Sequence, residues 1–196
     1  MVKIGVIFGG VSNEHSISIM SGCSIVKNLN KLKYEVLPIY IDREGNWYEV
    51  LDDIYQMPNY KLGEEPIKLK LIENVIKFLQ ELDCAFPVLR GKYGDDGSIQ
   101  GLLNIVGVPY AGCGILASSV SMDKIYMKTI LSQANIMQAK YFFIKKSKNG
   151  IISVDNEFNE KEVSIDELID LVYDKLKYPV FVKPANSGAS IGVNKA

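Results

Sequence analysis

The beginning of the chain carries two apolar runs with a helical pattern between them. The first run extends from Lys3 to Phe8, is broken by one glycine and stops at Gly9, which is typical of a strand buried on both faces. A helix is predicted over residues 16–30 and a second strand over residues 34–41. This order predicts a parallel sheet with helices on its faces, and such sheets bind ligands beyond the carboxyl ends of their strands.

The pattern of alternating strands and helices continues along the chain. Apolar residues at helical spacing predict a helix over residues 67–82, before a third buried strand at 84–89. The other predicted elements are an edge strand at 47–51, helices at 99–106, 115–119, 121–134 and 164–175, a short strand at 108–110, an antiparallel pair at 141–144 and 151–154, and a last strand at 180–182. Ser121 is predicted to cap the helix that follows it. After this residue the alternation of parallel strands and helices gives way to an antiparallel pattern, so we divide the chain into a Rossmann-like three-layer domain (1–120) and an α+β unit (121–196).

Charge and cysteine content narrow the class of protein. The chain has 22 Lys and Arg against 23 Asp and Glu, so it has no basic surplus for nucleic acid or an anionic membrane. Its three cysteines are far apart and suit neither a zinc site nor a disulfide framework, which fits a reducing compartment. The first apolar run is too short for a membrane span and lacks the flanks of a signal peptide. We therefore expect a cytoplasmic protein with neither nucleic acid nor membrane as a partner.

A loop of small residues follows a lysine near the end of the chain. Lys183 comes directly after the last predicted buried strand, and residues 187–192 contain two Ser and two Gly before another apolar residue. Free backbone N–H groups in such a loop can form a nest for an anion, beside which the Lys183 ammonium would place a full positive charge. The alternative interpretation is an ordinary Gly/Ser hairpin with a solvated lysine.

Other candidate residues lie in loops that follow predicted strands or in the first turn of a helix. Glu14 could bind the ammonium group of a small substrate, although a carboxylate at this helix N-terminus is also favoured by the helix dipole alone. His15 is the only histidine, and a lone histidine in a loop is more often structural than catalytic. The charged, glycine-rich loop that begins at Arg90 is either a binding loop or a tight turn with solvated charges. Lys124 lies in the first turn of a helix, where the dipole disfavours a cation unless an anion or Asp123 compensates it.

Several separate motifs carry a resemblance to one family. They are, in chain order, FGGVSNEHSIS (8–18), FPVLRGKYGDDGSIQG (86–101), PYAGCG (109–114), SMDK (121–124) and FVKPANSGASIG (181–192). Together they closely resemble the D-alanine–D-alanine ligases of the ATP-grasp superfamily, whose relatives include D-Ala–D-Ser and D-Ala–D-lactate ligases. The match runs over nearly the whole chain. It implies a Rossmann-like N-terminal domain that binds the first D-alanine, followed by the first, incomplete part of an α+β ATP-grasp module.

The resemblance also implies roles for individual residues. Glu14 matches the loop glutamate that contacts the amino group of the first D-alanine, and with Ser190 it forms the expected catalytic pair. The expected substrate-binding residues are Glu14, His15, Ser18 and Arg90. The expected ATP-binding residues are Lys124, Lys183, Ser187, Gly188, Ala189, Ser190 and Gly192. The implied reaction is ATP-dependent phosphorylation of one D-alanine, with Mg²⁺, and attack of a second D-amino acid on the acyl phosphate, which produces a peptidoglycan precursor. A homodimer is the expected assembly.

The chain departs from the family pattern in three residues and in length. Arg90 replaces a histidine, Ala189 replaces a serine and Ser16 replaces an acidic residue. The family also carries a further segment with an oxyanion-stabilising arginine, the adenine-binding residues and the Mg²⁺ ligands, so no metal ligand is assigned here and a truncated chain is expected. The alternatives are a catalytically incompetent remnant that only binds ligand, and a ligase with D-Ser or D-lactate as its second substrate.

Overall fold

A five-stranded sheet lies at the centre of the first of two units in the chain. The computed structural model describes residues 1–148, 150–155 and 157–196. Their contacts separate Met1–Met122 from Asp123–Ala196. The sheet contains β1 (Val2–Gly9), β2 (Tyr34–Ile41), β3 (Trp47–Val50), β4 (Leu69–Leu71) and β5 (Cys84–Pro87), in the order β4-β3-β2-β1-β5. β1 is parallel to both β2 and β5, whereas β3 and β4 extend the sheet in antiparallel fashion. The predicted α/β class is therefore confirmed.

Helices cover both faces of this sheet. They are α1 (His15–Asn28) on one face, and α2 (Val75–Gln80) and α3 (Ser98–Val106) on the other, while α4 (Ile115–Met122) contacts α3. Because successive side chains of a strand point to opposite faces, the neighbouring residues Ile7 and Phe8 of β1 belong to two different core clusters. Ile7 packs in the cluster that contains Leu103 of α3, and Phe8 in the cluster that contains Ile19 of α1. The parallel strands end together, so the loops after β1 and β5 are neighbours.

The helix predicted over residues 67–82 is partly wrong. Its first part forms β4, whose residues pair with β3, and the helix itself covers only Val75–Gln80. Asn74 begins this helix as its N-cap, since its side chain accepts a hydrogen bond from the Lys77 N–H. The short strand predicted at 108–110 is present only as one parallel bridge between Tyr110 and Ala85.

The second unit contains two small sheets and two helices. Its elements are α5 (Lys124–Gln133), β6 (Phe143–Lys146), β7 (Ile151–Val154), β8 (Glu160–Val163), α6 (Ile165–Lys175), β9 (Phe181–Val182) and β10 (Asn194–Lys195). The antiparallel sheet β6-β7-β8 buries Val154 and Val163, and β9 pairs with β10 in a hairpin. Asp123, rather than the predicted Ser121, caps α5, because its carboxylate accepts the N–H groups of the first turn. In the described parts of both units, no helix is both long and apolar enough to cross a membrane.

Gly22 is the point at which α1 lies closest to β1. A Cβ atom at this position would lie 2.5 Å from the Cβ of Phe8. Because the Phe8 Cβ is attached directly to the backbone, a change of side-chain rotamer cannot relieve this clash. Replacing Gly22 by alanine is expected to lower the free energy of unfolding by about 1–3 kcal/mol through overpacking. Urea unfolding followed by the fluorescence of Trp47, the single tryptophan, measures this change.

Gly101 provides the matched control, because it is also a helical glycine but its Cβ would meet no atom within 4 Å. Gly101→Ala is expected to raise the free energy of unfolding by up to about 1 kcal/mol, since alanine is the better helix former. Equal effects of the two substitutions would contradict the close packing of α1 on β1.

Candidate functional site

The carboxylate of Glu14 lies between the loops that follow β1 and β5. Ser12 joins these loops, because its hydroxyl donates to the carbonyl oxygen of Arg90 at 2.6 Å and accepts from the N–H of Glu14 at 3.1 Å. A Cβ atom on Gly91 would lie only 3.1 Å from Glu14 Oε1, so the carboxylate passes directly over the backbone of the second loop. Glu14 immediately precedes α1 but its side chain makes no capping hydrogen bond. The carboxylate is therefore available to a ligand at the edge of the sheet where ligands are expected.

His15 is fully buried inside the first unit. Its Nδ1 lies 2.5 Å from the carbonyl oxygen of Gly10, which can only accept, so Nδ1 carries a proton. Its Nε2 lies 3.3 Å from the hydroxyl of Tyr40 and 3.5 Å from Glu65 Oε1. Burial raises the pKa of the Tyr40 hydroxyl above its usual value, and its hydrogen bond to Glu65 raises it further, so Tyr40 stays protonated. Both ring nitrogens of His15 thus contact protein groups, and the ring fixes the turn that carries Glu14.

Ser18 is also fully buried, and in the described structure both hydrogen bonds of its hydroxyl are made to backbone groups. Its hydroxyl donates to the carbonyl oxygen of Val88 at 2.8 Å and accepts from the N–H of Gly9 at 2.9 Å. These bonds tie the end of β1 to the segment after β5. Like Ser12, Ser18 keeps the two loops in register.

Arg90 is exposed at the start of its loop, and no carboxylate among the described residues lies within ion-pair distance of its guanidinium group. The two aspartates of the loop turn inward, where Asp95 accepts from the N–H of Gly91 and Asp96 from that of Tyr93. Burial acts to raise the pKa of Asp96, but the backbone hydrogen bonds outweigh it and keep the pKa below its usual value. These carboxylates stabilise the turn, and the described structure leaves the loop's two cations, Arg90 and Lys92, without a carboxylate partner, with the Lys92 ammonium 4.7 Å from the centre of the Tyr93 ring.

The loop after β9 folds into a tight turn that returns into β10. Ala189 and Ser190 have φ angles of +46° and +60°, and Gly192 has a φ of +72°. Left-handed backbone at two successive residues with a Cβ costs about 1–2 kcal/mol each. Such strain persists where the surroundings impose it, and it is concentrated at ligand sites. The hairpin with a following strand, predicted from the sequence, is present.

Lys124 connects the start of α5 to this loop. Its ammonium group donates to the carbonyl oxygen of Ser187 at 2.5 Å, and its backbone N–H donates to the carbonyl oxygen of Ala185. Asp123 forms an isolated bridge with Asn186. The structure therefore brings Lys124 together with the loop of residues 187–192, as the sequence prediction requires of a phosphate site.

Two further lysines of the second unit, Lys183 and Lys128, belong to the candidate phosphate site. Lys183 lies at the end of β9, with its ammonium 6.0 Å from the centre of the Phe181 ring. Lys128, which the sequence analysis did not single out, is half-buried on α5. Burial lowers its pKa and the nearby charge of Lys183 lowers it further. Its position four residues after Lys124 was the available signal, because this spacing puts both lysines on one face of a helix.

The candidate residues of the two units offer different chemistry. In the described structure, the first unit presents an uncapped Glu14 carboxylate and an Arg90 guanidinium without an ion pair, which suit a zwitterionic ligand. The second presents ammonium groups and a strained loop, which suit an anion. Within the described ranges, no three or more His, Cys, Asp or Glu side chains are grouped closely enough to bind a metal ion.

Two family profiles match the sequence. The profile described as "D-ala D-ala ligase N-terminus" covers residues 3–113, and the one described as "D-ala D-ala ligase C-terminus" covers residues 130–196. The first of these matches alone spans more than half of the chain.

Curated relatives carry the same name. A "D-alanine--D-alanine ligase B" from Clostridium tetani is 43% identical over 196 residues, which are 100% of this chain and 51% of the relative. A "D-alanine--D-alanine ligase" from Clostridium acetobutylicum is 38% identical over 99% of this chain and 53% of the relative. The chain thus spans about half the length of the curated relatives it matches.

Solved structures are similar over the same range. The D-Ala:D-Ser ligase VanG from Enterococcus faecalis has a TM-score of 0.74 and 29% identity, over 99% of this chain and 55% of that one. A D-alanine–D-alanine ligase from Bacillus anthracis, solved in complex with ATP, has a TM-score of 0.62 and 30% identity, over 96% of this chain and 49% of that one. These similarities confirm the fold class predicted from the sequence motifs.

Proposed function

Because the chain belongs to the D-alanine–D-alanine ligase family, we propose that it provides the first D-alanine site and part of the ATP-phosphate site of such a ligase. The proposed overall reaction joins two D-alanine molecules at the expense of ATP, through an acyl phosphate, for peptidoglycan synthesis. The observation that carries this proposal is the Glu14 carboxylate, which lies uncapped over Gly91 at the carboxyl ends of the parallel strands. Cytoplasmic location and homodimer formation belong to the same proposal.

In the first unit, Glu14 and Arg90 would bind the two charged ends of D-alanine. The carboxylate of Glu14 would accept hydrogen bonds from the amino group. The guanidinium of Arg90, which has no carboxylate partner in the described structure, would donate two parallel hydrogen bonds to the substrate carboxylate. His15 and Ser18 are buried and would act as positioning residues that fix the two loops.

In the second unit, Lys124, Lys183 and the loop of residues 187–192 would bind the phosphates of ATP. The lysines would neutralise negative charge that develops during phosphoryl transfer, and backbone N–H groups of the loop would donate to phosphate oxygens. Ser190 would place its hydroxyl in this loop. The geometry that supports this role is the contact of the Lys124 ammonium with the loop at Ser187.

Magnesium does not fit the residues that the structure describes. Mg²⁺ prefers carboxylate oxygens together with substrate phosphates, and none of the described carboxylates form a group that could bind a metal. We therefore assign no Mg²⁺ ligand to this chain and derive no step through the metal.

Titration calorimetry with D-alanine tests the proposal for the first unit. The wild-type chain is expected to bind D-alanine, and Glu14→Gln is expected to weaken binding about tenfold, because glutamine keeps an acceptor oxygen but loses the charge. Glu35→Gln, which changes an exposed glutamate of β2, is the matched control and should leave the affinity unchanged. Equal affinities for all three proteins, or no D-alanine binding by the wild type, would contradict the proposed site.

A further inference from the structure

α5 presents two lysines to the hairpin of the second unit. Lys124 and Lys128 are four residues apart, so both side chains lie on the same face, one turn from each other. Lys124 contacts the hairpin loop directly at the carbonyl oxygen of Ser187. Burial lowers the pKa of Lys128, and the charge of Lys183, at the base of the same hairpin, lowers it further. The face of α5 therefore places two lysines along the segment that enters the loop, between Lys183 and Ser187.

The Lys128 side chain is fixed in place by aromatic residues. Its ammonium lies 4.6 Å from the centre of the Tyr141 ring, a distance at which a cation is attracted to the ring face. Tyr141 in turn stacks on Phe143 of β6, with the ring planes 18° apart. Gln138 supports the same turn by donating to the backbone carbonyl of Lys128. Lys128 is thus held beside another cation rather than turned out into solvent.

Among the described residues, no carboxylate forms an ion pair with any of these three lysines. None of Lys124, Lys128 and Lys183 lies within 4.0 Å of a carboxylate oxygen in the described residues, although Lys145 and Lys161 of the same unit do form ion pairs. A half-buried ammonium beside another positive charge is unfavourable, which is why burial and Lys183 lower the pKa of Lys128. A bound anion would remove this cost.

We propose that Lys128 is a third cationic ligand of the phosphate site, and that the lysine triad (Lys124, Lys128 and Lys183) selects a polyphosphate over a single phosphate group. This inference rests on the proposed function, since it adds a residue to the ATP-phosphate site. A chain of linked phosphates can contact three ammonium groups at once, whereas orthophosphate is too small to span a helical turn of about 5.4 Å and still reach the hairpin.

Binding of inorganic triphosphate and of ATP to the whole chain tests this inference. Lys128→Met, which keeps an unbranched side chain without charge, is expected to weaken binding of both ligands about tenfold, the cost of one charged hydrogen bond. Lys128→Arg should retain most of the affinity. Lys146→Met, an exposed lysine of β6, is the control and should bind like the wild type. Orthophosphate should bind much more weakly than triphosphate to the wild type and should be little affected by Lys128→Met.

A second readout separates ligand contact from a structural role. The ¹⁵N ammonium resonance of Lys128, assigned by its loss in Lys128→Met, is expected to shift when triphosphate is added. Circular dichroism and the unfolding midpoint show whether each variant is folded. If triphosphate binds the wild type and Lys128→Met equally, with no shift of this resonance, Lys128 is not a ligand and the proposed function stands. If neither ATP nor triphosphate binds the wild type, the phosphate role in the proposed function fails, and this inference fails with it.

Discussion

Replacing Gly9 by alanine is expected to destabilise the first unit by about 3–5 kcal/mol, a large effect for one methyl group. Gly9 has a φ of +92°, and a Cβ built on it would lie 2.2 Å from the carbonyl oxygen of Ile41. That carbonyl cannot move aside, because it accepts a hydrogen bond from the N–H of Gly10 at 2.8 Å. The chain must therefore give up the left-handed turn that leads from β1 to Glu14.

Gly45 separates the cost of the left-handed backbone from the cost of the steric clash. It has the same φ of +92°, but its nearest neighbour to a new Cβ is a methyl group of Val11 at 3.7 Å. Gly45→Ala should therefore cost only the backbone strain of about 1–2 kcal/mol. Urea unfolding followed by Trp47 fluorescence reports both changes. A loss for Gly9→Ala no greater than that for Gly45→Ala would show that the turn after β1 can relax.

Lys183→Met is expected to reduce the affinity for ATP about 100-fold, towards the upper limit for one charged hydrogen bond. Lys183 directly follows β9, in the segment that enters the loop of residues 187–192, and its charge acts on Lys128, so it lies where a polyphosphate would bind. The affinity for D-alanine should not change, because the proposed D-alanine site belongs to the other unit. Calorimetric titration of each ligand in turn measures both quantities.

Lys146→Met serves again as the control for a lost surface charge. The expected pattern is a large loss for Lys183→Met, a smaller one for Lys128→Met and none for Lys146→Met. Raised salt should weaken ATP binding to the wild type more steeply than to Lys183→Met, because fewer charges are screened in the variant. An ATP affinity of Lys183→Met equal to that of the wild type would remove this lysine from the phosphate site.

The core of the first unit could be predicted from the sequence because its strands are buried on both faces. Such strands form continuous apolar runs, and β1 and β2 follow this pattern closely. The secondary structure of residues 67–82 was harder to predict, because the apolar spacing there fits a helix while Leu69–Leu71 form a strand. That strand exists because β3 offers a partner edge, and a partner distant in the chain leaves no local signal.

The candidate sites were predictable only where a residue type limits the chemistry. Glu14, Lys124 and Lys183 are candidates because each puts a charge at a strand end or a helix start and because each matches a residue of the family motifs. The sequence could not show that His15 and Ser18 are buried, because their contacts with Glu65 and Val88 are made by tertiary folding. The spacing of Lys128 from Lys124 can be read from the sequence, but the effect of Lys183 on it arises only from tertiary folding, because Lys183 comes much later in the chain.

The crowding of ammonium groups at the hairpin also bears on when this part of the chain is folded. The like charges on α5 and at the end of β9 oppose the folded form, while a multivalent anion that binds them favours it, since a ligand that binds only the native state stabilises that state. Nucleotide supply would then act as a folding aid as well as a reactant. When ATP is scarce, the second unit would then spend more of its time open to proteases than when ATP is plentiful.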